Sequence, residues 1–177
     1  MTSNITLIGM PGAGKSTVGV VLAKNLGIGF IDTDVLIQIN QHKTLQQIMD
    51  ERGHLGLRAI EEREILKINI ENHVIATGGS AAYSPKAMAH LAGISTIVFL
   101  QVGFDEIKER IHNFETRGIA KGKNQTFEAL FAERQLLYRQ YAEITIDCSA
   151  LDQERVAMQI AKSLPPGRHP GYRSDRA

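Results

Sequence analysis

The chain has 177 residues, of which 43% are hydrophobic and 22% charged, and its net charge is +1. That length suits one domain with a sizeable core and is short for two, and the composition is that of an ordinary globular protein. Beyond Leu164, Arg168, Arg173 and Arg176 stand against the single Asp175 and carry the positive balance. The body is therefore slightly acidic, without the basic footprint of a nucleic-acid or anionic-membrane binder. No apolar run approaches a membrane span, no basic-then-apolar signal opens the chain, and the lone Cys148 excludes an internal disulfide. A cytoplasmic monomer without nucleic-acid or membrane partners is expected.

Strand-like and helix-like segments alternate throughout, which predicts a parallel sheet covered by helices on both faces. An apolar run, Ile5-Thr6-Leu7-Ile8, leads into Gly9-Met10-Pro11-Gly12-Ala13-Gly14-Lys15-Ser16-Thr17 and then a helix over Lys15 to Leu26, stopped by Gly27. This is G-x-x-x-x-G-K-[ST] after a strand and before a helix, the context that gives the motif its meaning. The glycines let the loop turn its N–H groups inward, and the helix N-terminus adds unpaired donors and partial positive charge. Lys15 reaches the outer phosphates of a nucleoside triphosphate in such a loop, and the Ser16 hydroxyl ligates Mg²⁺.

Phe30-Ile31 reads as a second strand ending in Asp32-Thr33-Asp34, with Asp34 capping the next helix. Thr44 and Gln47 form a capping box for a helix to Arg52. Gly53 and Gly56 break the pattern before a charged helix from about Leu57 to Asn69. His73 to Ala76 is a third strand and Thr77-Gly78-Gly79-Ser80 the loop at its end. Ser84-Pro85 opens a helix to Leu91 that Gly93 closes. Thr96 to Leu100 is continuously apolar, as in a strand buried on both faces. A helix from Asp105 to about His112 follows, and then a polar segment, 113–125, expected to be a mobile surface loop. Thr126 caps a long helix to Ala142, Ile144 to Ile146 is a fifth strand, and Asp152 to Leu164 a closing helix. Residues 1–164 are thus one domain, and 165–177 a flexible tail.

In an open parallel sheet, ligands bind outside the carboxyl ends of the strands. The phosphate loop, Asp32 with Asp34, the Gly78-Gly79 turn and the basic loop with Arg117 all fall on that edge. Two carboxylates in an extended strand end can share one side, with Thr33 facing away; one then serves the metal and the other takes a proton from an attacking hydroxyl. Gly78 and Gly79 permit close backbone approach. Arg58 and Glu61, three apart on a helix, can pair, so that Glu61 aims the guanidinium at a substrate carboxylate; a surface ion pair has the same spacing. Arg139 lies in the long helix, where most arginines face solvent and spacing alone says little. Arg117 can swing over the phosphates as an arginine finger or stand as a solvated charge.

In their order and spacing, the loop Gly9 to Thr17, Asp32-Thr33-Asp34, Arg58 with Glu61, Gly78-Gly79, Arg117 and Leu137-Tyr138-Arg139 resemble the shikimate kinase family over about residues 4–164. The resemblance implies a three-layer P-loop kinase fold with a five-stranded parallel sheet in the order 2-3-1-4-5, flanked by helices and carrying a mobile lid at about 113–125. It implies transfer of the γ-phosphoryl of ATP to the 3-hydroxyl of shikimate with Mg²⁺, in chorismate and aromatic amino acid biosynthesis. Lys15, Asp34 and Arg117 are then catalytic. Gly12, Ala13, Gly14, Lys15, Ser16, Thr17, Arg110 and Arg117 bind nucleotide, and Ser16 and Asp32 serve the metal. Asp34, Arg58, Gly78, Gly79 and Arg139 bind the acceptor. The family's three-glycine run is here Gly78-Gly79-Ser80, the phenylalanine before the substrate arginine is Leu57, and the lid reads Arg117-Gly118-Ile119-Ala120. These departures leave open another small hydroxylated acid as acceptor, and a non-catalytic nucleotide-binding domain is a third reading.

Overall fold

The computed structural model describes residues 4–111, 120 and 125–165. Strands β1 (Asn4–Ile8), β2 (Gly29–Asp32), β3 (His73–Ala76), β4 (Ser95–Gln101) and β5 (Ile144–Asp147) form one parallel sheet in the order β2-β3-β1-β4-β5. The central strand β1 sets Leu7 beside Ala76 of β3 and Val98 of β4, and it is buried along its whole length. Hence its run of apolar residues without alternation. The polar exceptions are satisfied. The Asn4 amide donates to the carbonyls of Ile70 and Ile94 and its oxygen accepts the His73 N–H, while the Thr6 and Ser95 hydroxyls share a 2.7 Å bond.

The helices are α1 (Lys15–Leu26), α2 (Thr33–Gln41), α3 (Leu45–Leu66), α4 (Pro85–Ile94), α5 (Phe104–Arg110), α6 (Phe127–Tyr141) and α7 (Gln153–Ser163), with a 3-10 turn at Ala81–Tyr83. Helices α1 and α7 pack on each other, α4 and α6 reach β4, and α3 lies along α4. The sheet core runs from Ile5 through Phe99 to Leu164. A second, smaller core of Ile37, Ile48, Leu57, Ile60 and Ala120 joins α2 to α3.

Three local expectations change. Asp32, not Asp34, caps α2: its Oδ1 accepts the N–H groups of Asp34 and Val35 at 2.9 and 3.4 Å. The strand end thus turns at Asp32, and Asp34 sits in the first helical turn, where its charge meets the positive end of the helix. Of the breaks expected at Gly53 and Gly56 only the first forms: Gly53 leaves helical geometry (φ 67°, ψ 179°), so α3 is two helices joined at a kink, and Gly56 stays helical. Gly93 does not stop α4, which runs to Ile94 and passes straight into β4.

Candidate active site

The phosphate loop connects β1 to α1. Gly12 and Gly14 hold φ of 81° and 89°, the left-handed region that a side chain resists. Gly14 is the N-cap of α1 and supplies no side-chain bond, so the first-turn N–H groups stay available to an anion. The Lys15 ammonium folds back over the loop and donates to the carbonyls of Gly9 and Met10, each at 2.8 Å. Burial lowers its pKa to about 8, against the pull of the Asp34 and Asp32 carboxylates. A phosphate beside it restores the fully charged form.

Ser16 Oγ donates to Asp32 Oδ2 at 2.5 Å. One Asp32 oxygen thus caps α2 while the other faces the exposed Ser16 hydroxyl at the mouth of the site. Two hard oxygen donors on adjacent turns, beside a phosphate loop, suit Mg²⁺, which keeps most of its water and takes one or two protein ligands. Asp34 lines the cavity from the first turn of α2. Thr33 between them is fully buried, and its Oγ1 accepts the Gly78 N–H at 3.0 Å, tying α2 to the loop after β3.

The cavity that begins at the phosphate loop has a volume of about 540 Å³. Asp34, Glu61, Gly78, Gly79, Ser80 and Arg134 line its far end. A Cβ on Gly78 would stand 2.6 Å from Asp34 Oδ1, and one on Gly79 would stand 2.7 Å from the Pro11 ring and 2.8 Å from Arg134 Nη1. Both positions therefore demand glycine for space. The Gly79 carbonyl is pinned by the buried Tyr138 hydroxyl at 2.6 Å.

Among the arginines the outcome differs from the sequence expectation. Arg139 is exposed on α6, away from the cavity. Arg134 is 1% exposed, lines the cavity and donates from Nη2 to the Ala120 carbonyl at 2.7 Å. The two are five residues apart, well over a quarter-turn round the helix, so only one can face inward. Leu130, Arg134 and Tyr138 recur every four residues on the buried face, and that stripe is the signal by which Arg134 was findable.

Arg58 lies with its guanidinium 3.4 Å from the centroid of the Tyr83 ring and donates to the same Ala120 carbonyl at 3.4 Å. It does not hydrogen-bond Glu61, the pairing its spacing allows. Glu61 accepts instead from Ser80 Oγ at 2.5 Å, and its Oε1 is buried without a hydrogen-bond partner. Burial first, and Asp34 second, raise the Glu61 pKa to about 7. The Nε atoms of Arg58 and Arg134 are likewise buried without a partner. Two cationic forks that meet at one carbonyl, each with an unmet buried Nε, have the chemistry to receive a carboxylate.

Arg110 ion-pairs with Glu106 and donates to the Gly12 carbonyl at 3.3 Å, on the outer side of the loop. Arg117 lies outside the described residues, as does most of the expected lid. Cys148 is buried, and burial pushes its thiol up to about 12, the behaviour of a structural cysteine rather than a nucleophile.

The sequence model of the family described as shikimate kinase matches residues 11–165. Shikimate kinase of Thermobifida fusca is 38% identical over 162 residues, covering 90% of this chain and 93% of that one. Shikimate kinase of Mycobacterium avium is 36% identical over 169 residues, covering 93% and 95%. The solved structure of Acinetobacter baumannii shikimate kinase in complex with shikimate superposes with a TM-score of 0.84 at 29% identity, covering 92% of each chain. With the phosphate loop, the strand order and these relatives in agreement, the chain belongs to the shikimate kinase family.

Proposed function

We infer that this chain transfers the γ-phosphoryl group of ATP to the 3-hydroxyl of shikimate, acting as a monomer in the cytoplasm. One observation supports the acceptor class above the others: Arg134 lines a cavity whose other end is a phosphate loop, its fork meets that of Arg58 at the Ala120 carbonyl, and both keep an unmet buried Nε. In this reading the loop N–H groups and Lys15 hold the phosphates, and Arg110 flanks the nucleotide. Arg58 and Arg134 hold the carboxylate, and the Gly78-Gly79 backbone lets the ring approach. Asp34 takes the proton of the attacking hydroxyl. Ser16 and Asp32 would hold Mg²⁺, which neutralises phosphate charge when bound. Arg117 adds charge stabilisation from the 113–125 segment. Catalysis is then chiefly positioning and electrostatics in a site from which water is excluded.

The test is ADP release from Mg·ATP with shikimate, beside quinate, simple sugar acids and a blank without acceptor. Saturable turnover on shikimate alone is expected. ATP binding with no turnover on shikimate would overturn the reading, and turnover on one of the other acids would move the assignment to that acceptor.

A further inference from the structure

Ser80 stands where the resemblance implies a glycine, and it is 7% exposed. Its hydroxyl donates to Glu61 Oε2 at 2.5 Å across the wall of the cavity. Glu61 is 2% exposed, so its carboxylate has little freedom once one oxygen is held. The other oxygen, Oε1, is buried with no hydrogen-bond partner, and with Asp34 Oδ1 it stands against the Gly78 Cα, where a Cβ would fall 2.6 Å from Asp34 Oδ1 and still closer to Glu61 Oε1. Two carboxylate oxygens thus converge beside Gly78, on the wall of the cavity that Asp34, Glu61, Gly78 and Ser80 all line. A buried oxygen left unmet is costly, and a ligand hydroxyl removes that cost.

We propose that Ser80 is a positioning residue for acceptor specificity: by holding Glu61 Oε2 it turns Oε1 toward the acceptor, where it receives the hydroxyl next to the one that Asp34 deprotonates. The preferred acceptor is therefore an acid carrying two adjacent hydroxyls, one phosphorylated and one read by Glu61. Because Ser80 occupies Glu61, Arg58 is left to stack on Tyr83 and to bond the Ala120 carbonyl. The charged groups around Glu61 are Asp34 from α2, Lys15 from α1 and Arg134 from α6. Asp34 disfavours the ionised Glu61, while Lys15, Arg134 and the Ser80 hydroxyl favour it.

The proposal rests on the phosphotransferase reading above, and two measurements keep their failures apart. The first is kcat/KM on shikimate and on 4-deoxyshikimate for the wild type, Ser80→Ala and Ser80→Thr, each checked for unaltered thermal unfolding. Ser80→Ala is expected to lose about tenfold on shikimate, through KM, and to change less than about twofold on the deoxy acceptor. Ser80→Thr is expected to retain the discrimination. An equal loss on both acceptors, or none on either, overturns the proposal. If the wild type phosphorylates neither acceptor, the phosphotransferase reading falls. The second measurement then decides Ser80: the Glu61 carboxyl carbon is titrated by NMR in ¹³C-glutamate-labelled protein. Loss of the Ser80 donor should raise the Glu61 midpoint, and an unchanged midpoint overturns the proposal.

Discussion

Arg134 and Arg139 share a helix, a charge and a neighbourhood, yet burial separates them: one lines the cavity and the other is in water. Arg134→Ala removes one of two forks around a buried carbonyl and leaves Arg58 without its companion. The acceptor KM is expected to rise by about a hundredfold or turnover to vanish, with ATP affinity within about twofold, while Arg139→Ala changes neither beyond about twofold. Steady-state kinetics with ATP and acceptor varied separately checks this. Arg58→Ala should behave as Arg134→Ala does; an equal fall in ATP affinity would place Arg58 elsewhere. The inward direction of Arg134 was legible through its four-residue spacing from Leu130 and Tyr138. The Glu61 partner was not, because an i,i+3 arginine and a serine nineteen residues away compete for one carboxylate, and only packing of α3 against the 77–80 loop brings the serine close.

At the scale of elements, caps were the most legible feature. Thr44 with Gln47, Ser84 before Pro85 and Thr126 all cap the helices that follow them. Capping is a contact over three residues, so it is written locally. Asp32 against Asp34 shows the limit: both can cap, and the choice falls to Asp32 because β2 pairs with β3 as far as Asp32 itself, so the chain leaves the sheet there. Gly53 is the other limit. Its positive φ kinks α3 without ending it, since Leu57 and Ile60 beyond the kink join the same small core as Ile48 before it. A Cβ there meets no atom within 4 Å, so Gly53→Ala carries only the backbone penalty. Because φ 67° with ψ 179° is a region essentially restricted to glycine, a loss of about 1–3 kcal/mol is expected, seen as a fall in Tm of roughly 2–4 °C per kcal/mol at this chain length.

For the whole molecule, the site carries a stability cost concentrated in buried charge. Glu61 titrates at about 7 when folded against 4.5 when exposed, so the folded state binds its proton more tightly than the unfolded state does. Stability therefore falls as pH rises through that window, by roughly 3 kcal/mol from this one group. Glu61→Gln carries no such proton. The difference in unfolding free energy between variant and wild type should grow in the variant's favour between pH 4.5 and 7 and level off above, by urea denaturation at several pH values. A flat difference would mean that Glu61 is ionised throughout.

By itself the sequence determined the phosphate loop, the strand-helix alternation, the helix caps and the membership of Lys15, Ser16, Asp34 and Gly78-Gly79 in one edge of a parallel sheet. Those are properties of neighbours along the chain, or of a topology that repeats them in order. The tertiary structure alone decided that Ser80 rather than Arg58 engages Glu61, and that Thr33 ties α2 to the loop after β3. Each is a contest for one buried partner among groups distant in sequence, and burial settles such contests by leaving no water to satisfy the loser.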